Sequence, residues 1–268
     1  MSLRGTALLA VAGLVVTVAC GCARSGEPVA DTTTSSPSPT VTPSTATPTP
    51  RRAQSPAPTY RSLEEVYLLH NELYSAGQIP AVVCRLPEIA LRTEKAVLRY
   101  SKAVLDCLQR SWTTVVERAD IQYFPPTVYT VTQGTKTRCG IFGGEYEAYV
   151  MAHEFGHHVQ QLVGISMYFD ERWGQATGAA RLEQMRRHEL QASCFAAAFF
   201  GANQRTLDLY GSRLALYRWS AYAGDDDQSD SAPDHGSRKS NTAWAKAAFK
   251  AKSPAACNTW VVPAKRVS

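Results

Sequence analysis

Ala152-His153-Glu154-Phe155-Gly156-His157-His158-Val159-Gln160 sets the frame for the rest of the 268-residue chain. Val150, Met151, Phe155 and Val159 recur around it at helical spacing. The stretch therefore reads as one packed helix over 146–162, stopped by Gly164. Residues four apart on a helix project from one face, so His153 and His157 offer two imidazoles to one point in space. Glu154 is turned from His153 by about 100° and stands beside that point without occupying it. This is the pattern of zinc-assisted hydrolysis. Two imidazoles hold Zn²⁺, and the carboxylate takes a proton from a water activated by the ion and returns it to the leaving group. Two histidines on an exposed helix can be coincidence. On a packed helix, with a carboxylate between them, a metal explains them better.

A catalytic zinc takes three protein ligands and keeps a fourth position open. Arg187-His188-Glu189-Leu190-Gln191-Ala192-Ser193-Cys194 lies on a second predicted helix, over 179–200 and closed by Gly201. It offers Glu189, 32 residues after His157. That helix is lined with Ala, Cys and Phe toward its end, where a carboxylate wants a partner. His188 is a rival, although it points about 100° away from Glu189. Glu171, in the connection between the helices, is another. His158 follows His157 directly and cannot share its direction, so it reads as supporting or structural. His70 reads as a surface or packing residue. His235, in the polar stretch Asp234-His235-Gly236-Ser237, is a catalytic candidate as an oxyanion donor, with an ordinary loop histidine as the alternative.

The remaining elements read mostly as helix. Ser62-Leu63-Glu64-Glu65 is a capping box for a helix that Gly77 stops. Thr93 caps a longer one carrying Val97, Tyr100, Val104, Leu108, Trp112 and Val115 at helical spacing. Another covers 206–222, and Asn241 caps a last one with Trp244, Ala247 and Phe249. Residues 139–144 read as a Gly-bearing turn, and 223–240 as loop. Val128-Tyr129-Thr130-Val131, β-branched and aromatic after Pro126, reads as a strand. The expected fold class is α+β, mostly α, with a small β element.

The first 58 residues have a different character. A positive start, an apolar run over 6–19 and the small residues and cysteines of Ala19-Cys20-Gly21-Cys22 have the layout of a signal peptide over 1–22. Cys20 or Cys22 would be the lipidated residue of a lipobox, which makes a membrane-anchored lipoprotein or a secreted protein the expectation. Residues 23–58 are rich in Ser, Thr and Pro and read as a disordered tether. Residues 59–268 form the folded domain. The formal charge of +5, spread without any dense Lys/Arg block, excludes a nucleic-acid patch. Five cysteines remain after the signal, an odd number, and an oxidising compartment would pair some of them.

These motifs resemble the neutral zinc metallopeptidases of bacteria often called YpfJ-like, in their actinobacterial branch. His153–Gln160 and Glu189–Ala196 carry the resemblance. Asp234–Lys239 and Pro254–Trp260 add to it, as does the stretch around Cys84, Cys107 and Trp112. The resemblance implies a zincin-like metallopeptidase domain with Zn²⁺ on His153, His157 and Glu189 and with Glu154 catalytic. Two departures stand out. Ser193 replaces an Asp of many members that would orient a metal-binding histidine, and only 13 residues separate Cys139 from His153, where members are longer. With Cys139 so left without a partner, the pairing implied is Cys84 with Cys107 and Cys194 with Cys257. The function expected is hydrolysis of a peptide or protein substrate outside the membrane. A cell-wall amide hydrolase using the same zinc, or a non-catalytic zinc-stabilised binding module, are the alternatives.

Overall fold

The computed structural model describes residues 60–126, 143–224 and 233–268. Six helices carry the fold: α1 (Glu94–Arg118), α2 (Gly143–Leu162), α3 (Ile165–Gln175), α4 (Gly178–Ala202), α5 (Gly211–Ala221) and α6 (Arg238–Ala251). Short helical turns fill the N-terminal and C-terminal ends of the domain. The described residues contain no strand, so the small β element of the expected α+β class is corrected to an all-helical architecture. Val128–Val131 themselves lie outside the described residues. Ile121–Pro126, which leads into them, has no regular structure. The core is made by helix faces, and β-propensity alone does not supply the second strand that a sheet needs.

α4 is the central element. From Leu190 to Ala202 it has no charged residue, and such a helix must be buried all round. Leu190, Cys194, Phe195 and Ala196–Ala198 are fully buried. α2, α3 and α6 pack on α4, and α1 packs on α2. The α1 stripe is the one its periodicity predicts: Thr93 Oγ1 accepts from Ala96 N at 3.2 Å, and Tyr100, Val104, Leu108, Trp112 and Val115 are buried. Trp112 meets Phe195 edge to face at 5.4 Å.

Two glycines set the distance between helices. A Cβ on Gly156 would lie 2.7 Å from the Ala192 carbonyl oxygen, so α2 and α4 touch backbone to backbone there. A Cβ on Gly201 would lie 2.0 Å from the Phe249 oxygen, so the glycine expected to end α4 instead lets α6 lie against it.

Other boundaries also differ from expectation. Ser62 Oγ does accept from Glu65 N at 3.1 Å, but the N-terminal helix breaks into a π-helical turn, Glu65–Leu69, and a 3-10 turn, Glu72–Ser75. Buried Asn71 causes the break, because its side-chain amide donates to Tyr67 O and to Val163 O at the end of α2. Gly143 and Gly144 are helical, and 139–142 lie outside the described residues. α5 begins at Gly211, later than expected. α6 begins earlier, capped by Ser237, whose Oγ accepts from Ser240 N at 3.3 Å.

Cys194 and Cys257 form a disulfide with Cα atoms 5.6 Å apart, joining α4 to the C-terminal turn. Cys84 and Cys107 are both buried, but they are free thiols, so the second expected bridge is not formed. Cys139 lies outside the described residues.

Candidate metal centre

The Gly156–Ala192 crossing places one face of α2 against one face of α4. His153 and His157 come from α2, and Glu189 comes from α4, one turn before Ser193. The two Nε2 atoms are 3.2 Å apart, and Glu189 Oε2 lies 3.2 Å from His153 Nε2 and 3.1 Å from His157 Nε2. Three ligand-type atoms from two helices thus converge on one point. All three side chains are only 12–16% exposed, so the point is sheltered but reachable.

The rings are held from behind. Ser193 Oγ lies 3.0 Å from His153 Nδ1, and Gln160 Oε1 lies 2.8 Å from His157 Nδ1. With each Nδ1–H donating backward, each Nε2 lone pair turns to the shared point. Gln160 is itself fixed, as its Nε2 donates to His188 O and to Gln191 Oε1, both at 2.9 Å. Gln191 donates in turn to Tyr74 Oη at 2.8 Å and to Cys257 O at 3.0 Å. Both glutamines are fully buried, and their amide groups are satisfied by one another, by His157 and Tyr74, and by backbone.

The electrostatics suit a cation. Burial pushes the Glu189 carboxyl up, but hydrogen bonds and charge from His153 and His157 outweigh it and hold it well below the usual carboxylate range. Burial works against a charged His157, yet the Glu189 hydrogen bond and charge, joined by the charge of Glu154, raise it above its ordinary value. The pocket therefore keeps a carboxylate ionised beside imidazole nitrogens, as a divalent ion requires. Glu154 itself is half-buried on the neighbouring face of α2.

Of the two rival ligands, only His188 lies near the centre. Glu171 is exposed on α3, with Gln175 Nε2 3.5 Å from its carboxylate. The connection expected there is a helix. His188 lies close to His157 and Glu189, but its Nε2 faces Ser166 Oγ at 3.2 Å. Its ring is stacked between Phe169, at 4.1 Å, and His157, at 4.7 Å. Burial, helped by the nearby His157, pushes it down to about 3, so it is a neutral ring that braces His157. His158 points away to Phe124 O at 2.8 Å, and His70 sits near Glu65 and stacks on Tyr60.

His235 reaches the same point from the loop before α6. Its Nε2 is 3.4 Å from Glu189 Oε2, and its Nδ1 is 2.7 Å from Asp234 Oδ1. Asn241, expected to cap α6, holds this loop by donating to His235 O, Gly236 O and Ser237 O. His235 is 51% exposed and marks the open side of the centre.

The four converging side chains, His153, His157, Glu189 and His235, all fall inside one family match. Residues 142–260 match the family described as "Putative neutral zinc metallopeptidase". The matched segment spans α2 to the C-terminal turn and takes in the whole centre, including the disulfide. Uncharacterized protein YpfJ of Escherichia coli K12 is 35% identical over 134 residues, 47% of this chain and 47% of that protein. Uncharacterized protein Rv2575 of Mycobacterium tuberculosis H37Rv is 41% identical over 64 residues, 24% of this chain and 20% of that protein. The chain thus spans about half the length, or less, of the curated relatives it matches. No solved structure matches it. The metallopeptidase family description agrees with zinc as the metal for the cluster, and the donor set, two imidazoles and a carboxylate, fits that ion.

The sequence reading named His153, His157, Glu189 and His235, and the structure brings all four together. It assigned no role to Gln160 or Gln191, and to Asn241 only that of a helix cap. Gln160 had a signal: it stands three residues after His157, on the same face of the helix. Gln191 had one too, as an amide on an otherwise apolar helix.

Proposed function

We propose that this chain hydrolyses peptide bonds outside the cytoplasm, with Zn²⁺ held by His153, His157 and Glu189 and with Glu154 as general base. One observation carries the reading: the Nε2 atoms of His153 and His157 and Oε2 of Glu189 lie within 3.2 Å of one another, with both rings tied from behind. When bound there, zinc supplies a Lewis acid that polarises the scissile carbonyl and acidifies water.

The chain's own residues do the rest. Glu154, on the adjoining face of α2, takes the proton of the attacking water and hands it to the departing amine. His235 stands on the open side with its Nδ1 against Asp234, and as an imidazolium it would donate its Nε2–H to the developing oxyanion. Ser193 and Gln160 keep the two imidazoles in the productive tautomer. Gln160, packed between His157 and Gln191, also keeps bulk water from that side of the centre.

An extracytoplasmic location is supported by the signal-like layout of residues 1–22 and by the Cys194–Cys257 disulfide, a bond that persists where thiols are oxidised. Lipidation at Cys20 or Cys22 would leave the domain on the tether of residues 23–58. No described helix is long and apolar enough to cross a membrane, and residues 1–58 lie outside the described ones.

The test pairs zinc content with turnover. Wild type is expected to hold about one zinc per chain and to cleave an unfolded protein such as casein. Glu154→Gln should keep the zinc and lose cleavage by at least about a hundredfold. Glu189→Ala should lose both. His235→Ala should keep zinc and slow turnover. Zinc retained in Glu189→Ala would remove the third ligand from the proposal. Full activity in Glu154→Gln would remove the mechanism.

A further inference from the structure

We propose that the cleft bounded by Trp173, Leu182, Met185, Arg181 and Asp234 is the specificity pocket of this centre, and that it takes an apolar side chain of the Leu, Met or Phe class from an extended peptide. The proposal rests on the peptidase reading above and names the substrate that reading leaves open.

The cleft adjoins the centre through one residue of its lining. Asp234, on its rim, is 2.7 Å from His235 Nδ1, and His235 Nε2 is 3.4 Å from Glu189 Oε2. Its floor belongs to α4. Leu182, Met185 and Glu189 are spaced by three and four residues, so they form one stripe along that helix. With a rise of about 1.5 Å per residue, Met185 lies about 6 Å along the axis from Glu189 and Leu182 about 10 Å. An extended peptide advances about 3.3 Å per residue, so the side chain over Met185 is one or two residues from the bond at the metal.

Its size and lining choose the occupant. The volume is about 260 Å³, below the roughly 300–1,000 Å³ of pockets that enclose a whole small ligand. It suits one side chain of a longer molecule. Trp173 from the end of α3 forms the facing wall, and Gly178 leaves the entrance without a side chain. The Arg181 guanidinium lies 3.5 Å over the Trp173 ring. A guanidinium stacked on its face keeps its in-plane N–H groups free for backbone carbonyls. The apolar surface of Trp173, Leu182 and Met185 rewards an apolar side chain. The Asp234 carboxylate at the rim opposes an acidic one.

The test uses the full chain loaded with zinc and a set of N-acetylated, C-amidated hexa-alanine peptides in which one Ala is replaced by Phe, or by Trp, at each position in turn. Binding is measured by calorimetry on the Glu154→Gln chain, and cleavage sites in wild type are mapped by mass spectrometry. Phe at one position, within two residues of the cut, is expected to bind at least about tenfold better than Ala. Met185→Trp, which fills the cleft, should collapse that Phe-to-Ala ratio while zinc content stays at one per chain. Leu182→Ala, which enlarges it, should move the preference toward Trp, and serves if the first variant fails to fold. A wild type that cleaves peptides with no side-chain preference, or with a ratio untouched by both variants, overturns the pocket and leaves the peptidase reading standing. A zinc-loaded wild type that neither binds nor cleaves any of these peptides or casein overturns both.

Discussion

Ser193 Oγ sits 3.0 Å behind His153 Nδ1, where a carboxylate would be a stronger acceptor. The hydroxyl still fixes the tautomer. Ser193→Ala should weaken zinc affinity by about tenfold or more, the usual effect of removing such a partner. Ser193→Asp should strengthen it. Competition with a chromogenic chelator measures both. An unchanged affinity in Ser193→Ala would mean that packing alone orients the His153 ring.

The α2–α4 contact leaves no room at position 156. A Cβ there meets the Ala192 backbone, which cannot swing aside as a flexible side chain would. Gly156→Ala gains about 1 kcal/mol of helix propensity. The forced separation should still leave the chain about 1–3 kcal/mol less stable. Urea unfolding of the metal-free chain is the measurement, and a more stable variant would contradict the contact.

Most of the helical plan was legible because amphipathic periodicity is a local signal. The α1 stripe and the His153/His157 pair are both statements about one helix. What the sequence concealed was tertiary. Asn71 breaks the N-terminal helix for a carbonyl 92 residues away, and no local pattern encodes that partner. Glu189 needed the family resemblance for the same reason, since it meets His157 only through a helix crossing. The strand expected at Val128–Val131 came from side-chain type alone, which says nothing about whether a second strand exists to pair with it. Cys84 and Cys107 were rightly placed side by side, but proximity does not oxidise two thiols.

Glu147 gives the fold a pH dependence of its own. Burial raises its carboxyl above the usual range, and the 2.9 Å hydrogen bond from Ser101 only partly opposes this. A raised carboxyl favours the protonated folded form. Its contribution is therefore fully present below the unfolded value, about 4.3, and is lost as pH rises through the higher folded one. Glu147→Gln keeps an acceptor for Ser101 and removes the charge. It should be the more stable protein near pH 7 and should lose its advantage toward pH 4. Urea midpoints for both chains across that range test the sign.

The Cys194–Cys257 bridge closes a loop with a sequence separation of 63. Chain entropy assigns such a loop about 4 kcal/mol. The bridge also fixes the residue whose carbonyl receives Gln191. The double variant Cys194→Ala, Cys257→Ala should lose about that much stability and also bind zinc less tightly. Thermal melts and chelator competition on the same samples separate the two effects. Intact zinc affinity in an otherwise destabilised variant would show that the glutamine chain holds without its covalent brace.

Neither α2 nor α4 owns the candidate metal centre. Its ligand spacing is a property of their crossing, and the crossing distance is set by a missing side chain at Gly156. A change anywhere in the core that spreads the two helices by a few tenths of an ångström moves two nitrogens away from one oxygen together. If zinc binds as proposed, its affinity would gauge interior packing, responding to distant core substitutions before the fold itself gives way.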